Sequence, residues 1–258
     1  MKSRVPPVAL AGVLAALVAG QIALSAPERS SASPTLGALP AHGAGAAARR
    51  AIIAARREDL KQGFLVARVR RSLGVRTRPG GHLAARIGPT TDFGSPRVLA
   101  VAAMRGRWLG VVTSELPNGR LGWIRRSSVR LDRVATSIHA DLSSRTVELR
   151  SRGRRVARLR VAVGREGSAT PTGRFAVTDE LSGSQFGPYY GCCILALSGH
   201  QPRPPSGWQG GNRLAIHGTS APGTIGAAAS AGCLRAADGD LRQLMRRARV
   251  GTPVFIHV

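Results

Sequence analysis

The residues whose types can perform covalent chemistry lie near the carboxyl end of this 258-residue chain. Cys233 lies in the segment S-A-G-C-L-R, and His217 lies sixteen residues earlier in the segment R-L-A-I-H-G-T. The thiolate is the reactive form of cysteine, and a protonated imidazole beside it lowers the pKa of the thiol. Together the two side chains can transfer an acyl group, because the sulfur attacks a carbonyl carbon while the imidazole handles the proton. This pair is the first candidate for a catalytic site.

The glycine that precedes Cys233 adds to this hypothesis. Gly232 lets the backbone pass close to a substrate, and the successive N–H groups of Gly232 and Cys233 can hold an oxyanion. The segment between His217 and Cys233 is rich in small residues, so it can fold back and bring the thiol and the imidazole together. The alternative is a buried thiol with an unrelated core histidine, and the pair alone does not exclude it.

The elements that must position this pair are predicted to be mostly strands. Residues Thr146–Leu149 and Val156–Val163 flank the turn S-R-G-R, and their apolar residues recur at every second position with charged residues between them. This alternation is typical of an antiparallel sheet that buries one face and exposes the other. We therefore expect a half-buried sheet in this part of the chain.

One helix is predicted near the end of the chain. Its apolar residues follow the i, i+3, i+4 and i+7 pattern of a helix face: Leu241, Leu244, Met245 and Ala248. We expect Asp238 or Asp240 to cap its start and Gly251 to end it. Residues Pro253–Val258 are then predicted to form a final strand.

The start of the chain is predicted to direct export. Lys2 and Arg4 precede an uncharged apolar run from Val8 to Gly20, and small residues follow it. A basic start, a short apolar stretch and a small-residue exit are typical of a secretory signal. Residues 1–26 are therefore a cleaved signal peptide or an uncleaved N-terminal anchor, and we expect the protein in the periplasm or cell wall. Residues 27–65 follow as an Ala/Gly/Arg-rich linker with room for one short helix.

Short β-rich runs, separated by glycine and proline, fill residues 66–134 and predict a small barrel. Three of these runs are V-R-T-R-P-G at residues 75–80, R-W-L-G-V at residues 107–111 and L-G-W-I at residues 121–124. On these motifs the segment resembles the bacterial SH3-like modules of cell-wall proteins. We expect Trp108 and Trp123 to belong to the core and wall of this barrel rather than to a ligand platform.

The chain is strongly basic, with a formal net charge of +25. The arginines on the predicted strands are singly spaced, which is typical of a solvated face. No helix-turn-helix, RNA-recognition signature or zinc-ligand spacing occurs, and the predicted export opposes a nucleic-acid partner. We therefore expect neither nucleic acid nor a metal to bind, whereas anionic wall polymers or a membrane surface fit the positive charge.

The chain has three cysteines, an odd number that leaves at least one thiol unpaired unless it bridges between chains. Cys192 and Cys193 are adjacent, so they either form a disulfide with each other or are two small core residues. Cys233 is the thiol that needs a function.

Motifs around the candidate pair favour a catalytic role. I-H-G-T at residues 216–219 and S-x-G-C-x-R at residues 230–235 are preceded by A-T-P-T-G-R-F at residues 169–175. Further motifs are I-H-A-D-L-S (138–143), V-A-V-G (161–164), G-P-Y-Y (187–190), L-S-G-H (197–200) and I-G (225–226). In this order the motifs of residues 136–258 resemble the L,D-transpeptidase catalytic domain, the YkuD-like family.

The resemblance implies a cysteine acyltransferase that acts on peptidoglycan stem peptides in cell wall biogenesis, without cofactor or metal. Cys233 would attack a tetrapeptide donor at the L-centre of meso-diaminopimelate and release D-Ala. The acyl group would then pass to an amine of another stem, giving a 3→3 cross-link, or in some relatives to a wall-anchored lipoprotein.

The family pattern also implies the roles of individual residues. The catalytic set is Cys233 as nucleophile, His217 as base and proton donor, Gly218 as the carbonyl that orients His217, and the N–H groups of Gly232 and Cys233 as the oxyanion hole. The candidate substrate-binding residues are Arg235, Ser230, Tyr190 and His200. Arg235 is suited to a stem carboxylate, because its planar guanidinium matches the two oxygens.

One position departs from the family pattern, which usually has histidine before Gly-Cys where this chain has Ala231. If that histidine acts only through its backbone N–H, alanine preserves the function; if its ring matters, activity falls or the substrate changes. The nucleophile, the base and the oxyanion donors are retained, so we expect an active enzyme. The alternative is a catalytically weak or inactive cell-wall-binding protein of the same fold.

The predicted architecture is mainly β. A small SH3-like barrel at residues 66–134 is followed at residues 135–258 by a β-rich L,D-transpeptidase (YkuD-like) catalytic domain with one clear C-terminal helix.

Overall fold

A computed structural model of the protein describes residues 62–258, so the predicted signal or anchor and nearly all of the predicted linker lie outside the described residues. The described residues belong to one compact unit and form two β-sheets. Within this part of the chain no helix has the length and apolar character needed to cross a membrane.

The first sheet has seven strands and its own apolar core. The strands are β1 (Phe64–Val69), β2 (Leu73–Arg76), β3 (Leu83–Ile87), β4 (Val98–Arg105), β5 (Trp108–Val111), β6 (Gly122–Arg125) and β7 (Val129–Val134). They pair antiparallel in the order β3-β2-β6-β5-β4-β1-β7. Val75, Leu109 and Ile124 are fully buried between them, since their branched side chains fill one face of the pleated strands.

The two tryptophans of this sheet contribute to its wall. Trp123 is buried and Trp108 is half-buried. Each ring lies close to a guanidinium group, Arg125 at 5.0 Å from the Trp108 centroid and Arg105 at 5.4 Å from that of Trp123. The SH3-like assignment of this sheet and the predicted domain boundaries stay predictions.

The second sheet has nine strands and closes on itself. The strands are β8 (Thr136–Asp141), β9 (Thr146–Ser151), β10 (Arg154–Gly164), β11 (Gly173–Ser182), β12 (Cys193–His200), β13 (Arg213–His217), β14 (Ala228–Ser230), β15 (Leu234–Ala236) and β16 (Pro253–His257). Their order is β14-β10-β15-β13-β12-β11-β16-β8-β9, and a further pairing of β9 with β10 joins the last strand back to the second. The predicted alternation on β9 and β10 is observed: Val147, Leu149 and Val161 are fully buried, whereas Arg158 and Arg160 are exposed.

The described residues contain one α-helix of more than one turn, α1 (Asp238–Met245), which confirms the expected mainly β fold with a C-terminal helix. Neither predicted aspartate caps it: Ala237 is the N-cap residue, and the Asp238 carboxylate instead accepts a hydrogen bond from the Thr219 N–H. The helix also ends earlier than Gly251: the Arg247 N–H donates to the Leu244 carbonyl in a tighter turn, and the Gly251 N–H donates to the Val177 carbonyl of β11.

A loop of the first sheet contacts the end of β12 in the second. The Asn118 side chain accepts from the His200 N–H at 2.9 Å and donates to the His200 carbonyl at 2.7 Å. The His200 ring adds a contact of 2.7 Å between Nε2 and the Ser114 carbonyl. One asparagine therefore satisfies both main-chain groups of the residue at which β12 ends.

We predict that Asn118→Ala lowers the free energy of unfolding by about 1–3 kcal/mol, because two partly buried main-chain groups lose their partners. Urea unfolding followed by tryptophan fluorescence measures this change. Arg120→Ala in the same loop is the control, since the exposed Arg120 side chain makes no hydrogen bond within residues 62–258. Equal stability of the two variants would contradict the role of this contact.

Candidate active site

His217, the last residue of β13, is fully buried in a fixed orientation. Its Nδ1 lies 2.6 Å from the carbonyl oxygen of Gly218. A carbonyl only accepts, so Nδ1 carries the hydrogen and Nε2 carries the lone pair. This Nε2 is buried and has no hydrogen-bond partner within residues 62–258, which leaves it free to accept a proton.

Gly218 fits its position because the surrounding chain leaves no room for a side chain. A Cβ there would lie 2.2 Å from Oδ1 of Asp238 and 2.8 Å from the backbone nitrogen of Cys192. The Gly218 N–H donates to the Cys193 carbonyl at 3.0 Å. These contacts hold the carbonyl that orients His217.

Cys233 immediately precedes β15, which pairs in parallel with β13. The register places Leu234 beside Ile216 and Arg235 beside His217, so the thiol comes to the strand that ends in the imidazole. The Cys233 sulfur lies 3.9 Å from the Arg213 carbonyl, to which the thiol donates.

Cys233 and His217 line the same cavity, as we expected from the small residues between them. Other residues of its wall include Tyr189, Tyr190, Gln201, Trp208 and Ala231. The loop that forms after β13 thus folds back, and the candidate nucleophile and base share one small space.

Burial favours the neutral form of both groups. Burial raises the pKa of the Cys233 thiol to about 11, although the Ala215 N–H and the charge of Arg235 both act to lower this pKa. Burial lowers the pKa of the His217 imidazole to about 4, although the hydrogen bond to Gly218 acts to raise this pKa. The expectation of a thiol pKa lowered by a protonated histidine is therefore wrong, because desolvation outweighs the attraction between the charges.

The predicted oxyanion donors differ in availability. The Gly232 N–H donates to Oγ of Ser230 at 3.0 Å, so it is already engaged. Among the described residues the Cys233 N–H meets no acceptor. Ser230 is itself buried, and its hydroxyl donates to the Cys233 carbonyl at 2.6 Å. The structure therefore places the Ser230 hydroxyl inside the loop that presents the thiol, and not at the surface where a substrate would bind.

Arg235 is buried beside the cavity with part of its guanidinium unpaired. Its Nη2 donates to the Ala229 carbonyl at 2.6 Å, and its Nε has no partner among the described residues. Arg235 also lines a neighbouring depression with Arg165, Tyr189 and Trp208. The two arginines make this depression suited to an anionic group.

The two remaining predicted residues lie in different places. Tyr190 lines the cavity, and its ring centroid lies 4.9 Å from that of His217. His200 does not line this cavity; it contacts Asn212 and the Ser114 carbonyl, at the junction with the first sheet. The prediction of His200 as a pocket residue is not supported by its position, because the end of β12 turns towards the first sheet.

Sequence reasoning missed three residues of the cavity wall. Tyr189 contacts the rings of both His217 and Trp208, at centroid distances of 5.6 Å. The G-P-Y-Y motif offered a signal for Tyr189, and an aromatic in a Gly/Pro-rich loop offered one for Trp208. Gln201 had no signal beyond its place after L-S-G-H, since only its contacts reveal its role.

Two further sequence questions concern cysteine pairing and metal binding. Cys192 and Cys193 form a disulfide, which leaves Cys233 as the free thiol of the chain. No group of three or more His, Cys, Asp and Glu side chains within residues 62–258 is arranged to hold a metal ion.

The fold and the site define a mainly β protein in which a free thiol and a buried imidazole line one cavity. The model of the YkuD family, the L,D-transpeptidase catalytic domain, matches residues 135–256. A Bacillus licheniformis protein that carries the L,D-transpeptidase name YkuD is 32% identical over 127 residues, which cover 48% of this chain and 67% of that protein. The chain belongs to the YkuD family of L,D-transpeptidases.

Solved structures with a similar chain path include two bacterial proteins. Bd1075 of Bdellovibrio bacteriovorus is 19% identical with a TM-score of 0.38, and the match covers 48% of each chain. The catalytic domain of the Enterococcus faecium L,D-transpeptidase is 19% identical with a TM-score of 0.35 over 47% of this chain and 96% of that one. The chain thus spans about half the length of Bd1075.

We predict that the rate of Cys233 alkylation by iodoacetamide rises about tenfold per pH unit between pH 7 and 10, because the thiolate fraction limits the reaction. Intact-mass spectrometry measures this rate in the variant with Cys192→Ser and Cys193→Ser, which has one cysteine. Cys233→Ala supplies the background. A rate independent of pH from 6 to 9 would show a thiolate–imidazolium pair instead.

Proposed function

We propose that this protein is a cysteine-dependent L,D-transpeptidase that acylates Cys233 with a peptidoglycan tetrapeptide stem, releases D-Ala and transfers the acyl group to an amine as a 3→3 cross-link. The observation that carries the proposal is the orientation of His217. Its Nδ1–H is bound to the Gly218 carbonyl, so Nε2 is the free base in the cavity that Cys233 lines.

The first half of the reaction forms a thioester. The Cys233 sulfur bonds to the carbonyl carbon at the L-centre of the donor while its proton passes to Nε2 of His217. The carbonyl electron pair moves to oxygen, and the unengaged Cys233 N–H is available to stabilise that charge. When the carbonyl reforms, the C–N bond to D-Ala breaks and Nε2 returns the proton to the leaving amine.

The second half uses the same two groups in reverse order. An acceptor amine attacks the thioester carbon and gives its proton to Nε2 of His217. The carbon–sulfur bond then breaks, and the thiolate regains a proton from the imidazolium. The raised pKa of the Cys233 thiol favours this neutral resting form, in which the proton moves only as the bonds to carbon change.

Substrate recognition is supported by the groups beside the thiol. The unpaired Nε of Arg235 and the charge of Arg165 fit a carboxylate of the stem peptide. Tyr189 and Trp208 add aromatic surface at the same place, against which the aliphatic part of a peptide side chain can pack.

Intact-mass spectrometry with a disaccharide-tetrapeptide donor tests the proposal. We predict an adduct equal to the donor less one D-Ala on the wild-type protein and none on Cys233→Ala, because the sulfur forms the thioester. His217→Ala should slow acylation by about 100-fold or more, since no other group in this orientation takes the thiol proton.

The control variant has Cys192→Ser with Cys193→Ser, and we expect it to keep acylation. Absence of an adduct on the folded wild-type protein, with the donor intact, would favour the alternative of a catalytically weak or inactive cell-wall-binding protein. D-Ala release by Cys233→Ala would refute the mechanism.

We also propose that the protein is exported and that anionic wall polymers or a membrane surface attract it. Residues 62–134 contain fourteen arginines and three acidic residues. Each of these acids, Asp92, Glu115 and Asp132, already pairs with an arginine. Exposed arginines such as Arg70 and Arg130 therefore form no ion pair with these acids.

We predict that retention of the protein on isolated wall sacculi falls as the salt concentration rises from about 50 mM to 500 mM, because salt screens exposed charges. Co-sedimentation measures the retained fraction. The variant with Arg70→Ser and Arg130→Ser should be retained less at low salt than one with Arg242→Ser and Arg246→Ser at the other end of the chain. Retention that is independent of salt would contradict an electrostatic attraction.

A further inference from the structure

Gln201 is a buried side chain whose polar atoms are all engaged beside the thiol. Its Nε2 donates to the carbonyls of Ser168, Ala169 and Ala231 at 3.0 to 3.2 Å. Its Oε1 accepts from the Arg203 N–H at 3.0 Å. A reversed amide would set its oxygen against three carbonyl oxygens, so the contacts fix which end of the amide faces Ala231.

The contact with Ala231 fixes one end of a peptide group in residues 230–233, which we call the nucleophile loop. The carbonyl of Ala231 and the N–H of Gly232 belong to the same planar unit. Gln201 holds its oxygen, and Oγ of Ser230 accepts from its nitrogen at 3.0 Å. The same Ser230 hydroxyl donates to the Cys233 carbonyl at 2.6 Å. The peptide group between Gly232 and Cys233 therefore lies between two peptide groups that hydrogen bonds hold in place.

Gly232 is required by this arrangement. Its φ of +121° lies in a region that L side chains rarely adopt. A Cβ at this position would lie 2.0 Å from Nε2 of Gln201, so the amide occupies the space that a side chain would need. Gln201 and Gly232 thus pack directly against each other, and only glycine at position 232 leaves room for the amide.

We propose that Gln201 is a positioning residue for acyl transfer: by holding the Ala231 carbonyl, it directs the Gly232 N–H to Ser230 and leaves the Cys233 N–H as the oxyanion donor of this loop. The role of the Cys233 N–H as an oxyanion donor rests on the proposed function, whereas the fixed orientation of the peptide group between Ala231 and Gly232 does not depend on it. Ala231 then contributes through its backbone alone, since its carbonyl carries the contact.

The first test uses Gln201→Leu, which removes the donor but keeps much of the volume. Acylation by the tetrapeptide donor should fall about 100-fold in kcat, with KM changed less than about threefold, because an oxyanion donor acts in the transition state. Alkylation by iodoacetamide involves no oxyanion, so its rate should stay within about twofold of wild type. Amide exchange of Gly232, measured by NMR without substrate, should become at least about tenfold faster.

The second test uses Gln201→Glu, which is informative even if the leucine variant fails to fold. An ionised carboxylate repels the three carbonyls, whereas a protonated carboxyl donates one hydrogen bond to them. The acylation rate relative to wild type should therefore be at least about tenfold higher at pH 5 than at pH 8. Gln243→Leu and Gln243→Glu on the exposed face of α1 are the matched controls, and we expect wild-type values for both.

The outcomes separate this inference from the proposed function. Faster Gly232 exchange in the Gln201 variants, with alkylation unchanged, supports the fixed peptide even if the wild-type protein forms no adduct. Wild-type exchange and wild-type acylation in folded Gln201→Leu would overturn the inference. A loss of alkylation that parallels the loss of acylation would also overturn it, since the residue would then act on the thiol and not on the oxyanion donor.

Discussion

The parallel pairing of β13 with β15 is the constraint on which the site depends. The chain runs through β13 to His217, forms a loop of small residues and returns through Cys233 into β15 in the same direction. A parallel pair needs such a crossover connection, and here the connection includes β14 and ends at the candidate nucleophile. The pairing of β10 with both β9 and β15 closes the sheet around this point and buries it. Reactive groups are thereby brought together by main-chain hydrogen bonds and not by their own attraction.

Burial by the same sheet decides the electrostatic character of the pair. A thiol and an imidazole removed from water are both more stable as neutral groups, so the pKa of Cys233 rises and that of His217 falls. The Gly218 carbonyl selects the tautomer that leaves Nε2 free. The result is a neutral pair in which a backbone carbonyl orients the imidazole.

Polar side chains away from the reacting atoms fix the backbone around them. Ser230 and Gln201 hold the peptide groups of the nucleophile loop, while Asp238 accepts from the Thr219 N–H beyond His217. The neighbour of Gln201, His200, is held by Asn118 of the first sheet. The first sheet therefore contacts the strand end from which Gln201 reaches the nucleophile loop, so the two sheets support the site jointly.

The sequence by itself determined the family, the mainly β fold and the two candidate reactive residues. The alternating apolar positions on β9 and β10 indicate which face of the sheet is buried, and I-H-G-T with S-x-G-C-x-R indicates a local backbone shape. Both are local patterns, so the sequence alone is enough to predict them. Only the tertiary structure decided the neutral state of the pair, the engagement of Gly232, the place of His200 and the contacts of Gln201. Each of these depends on desolvation or on contacts between residues distant along the chain. Gln201 and Ala231 are thirty residues apart, and no local pattern encodes the meeting of a side-chain amide with that carbonyl.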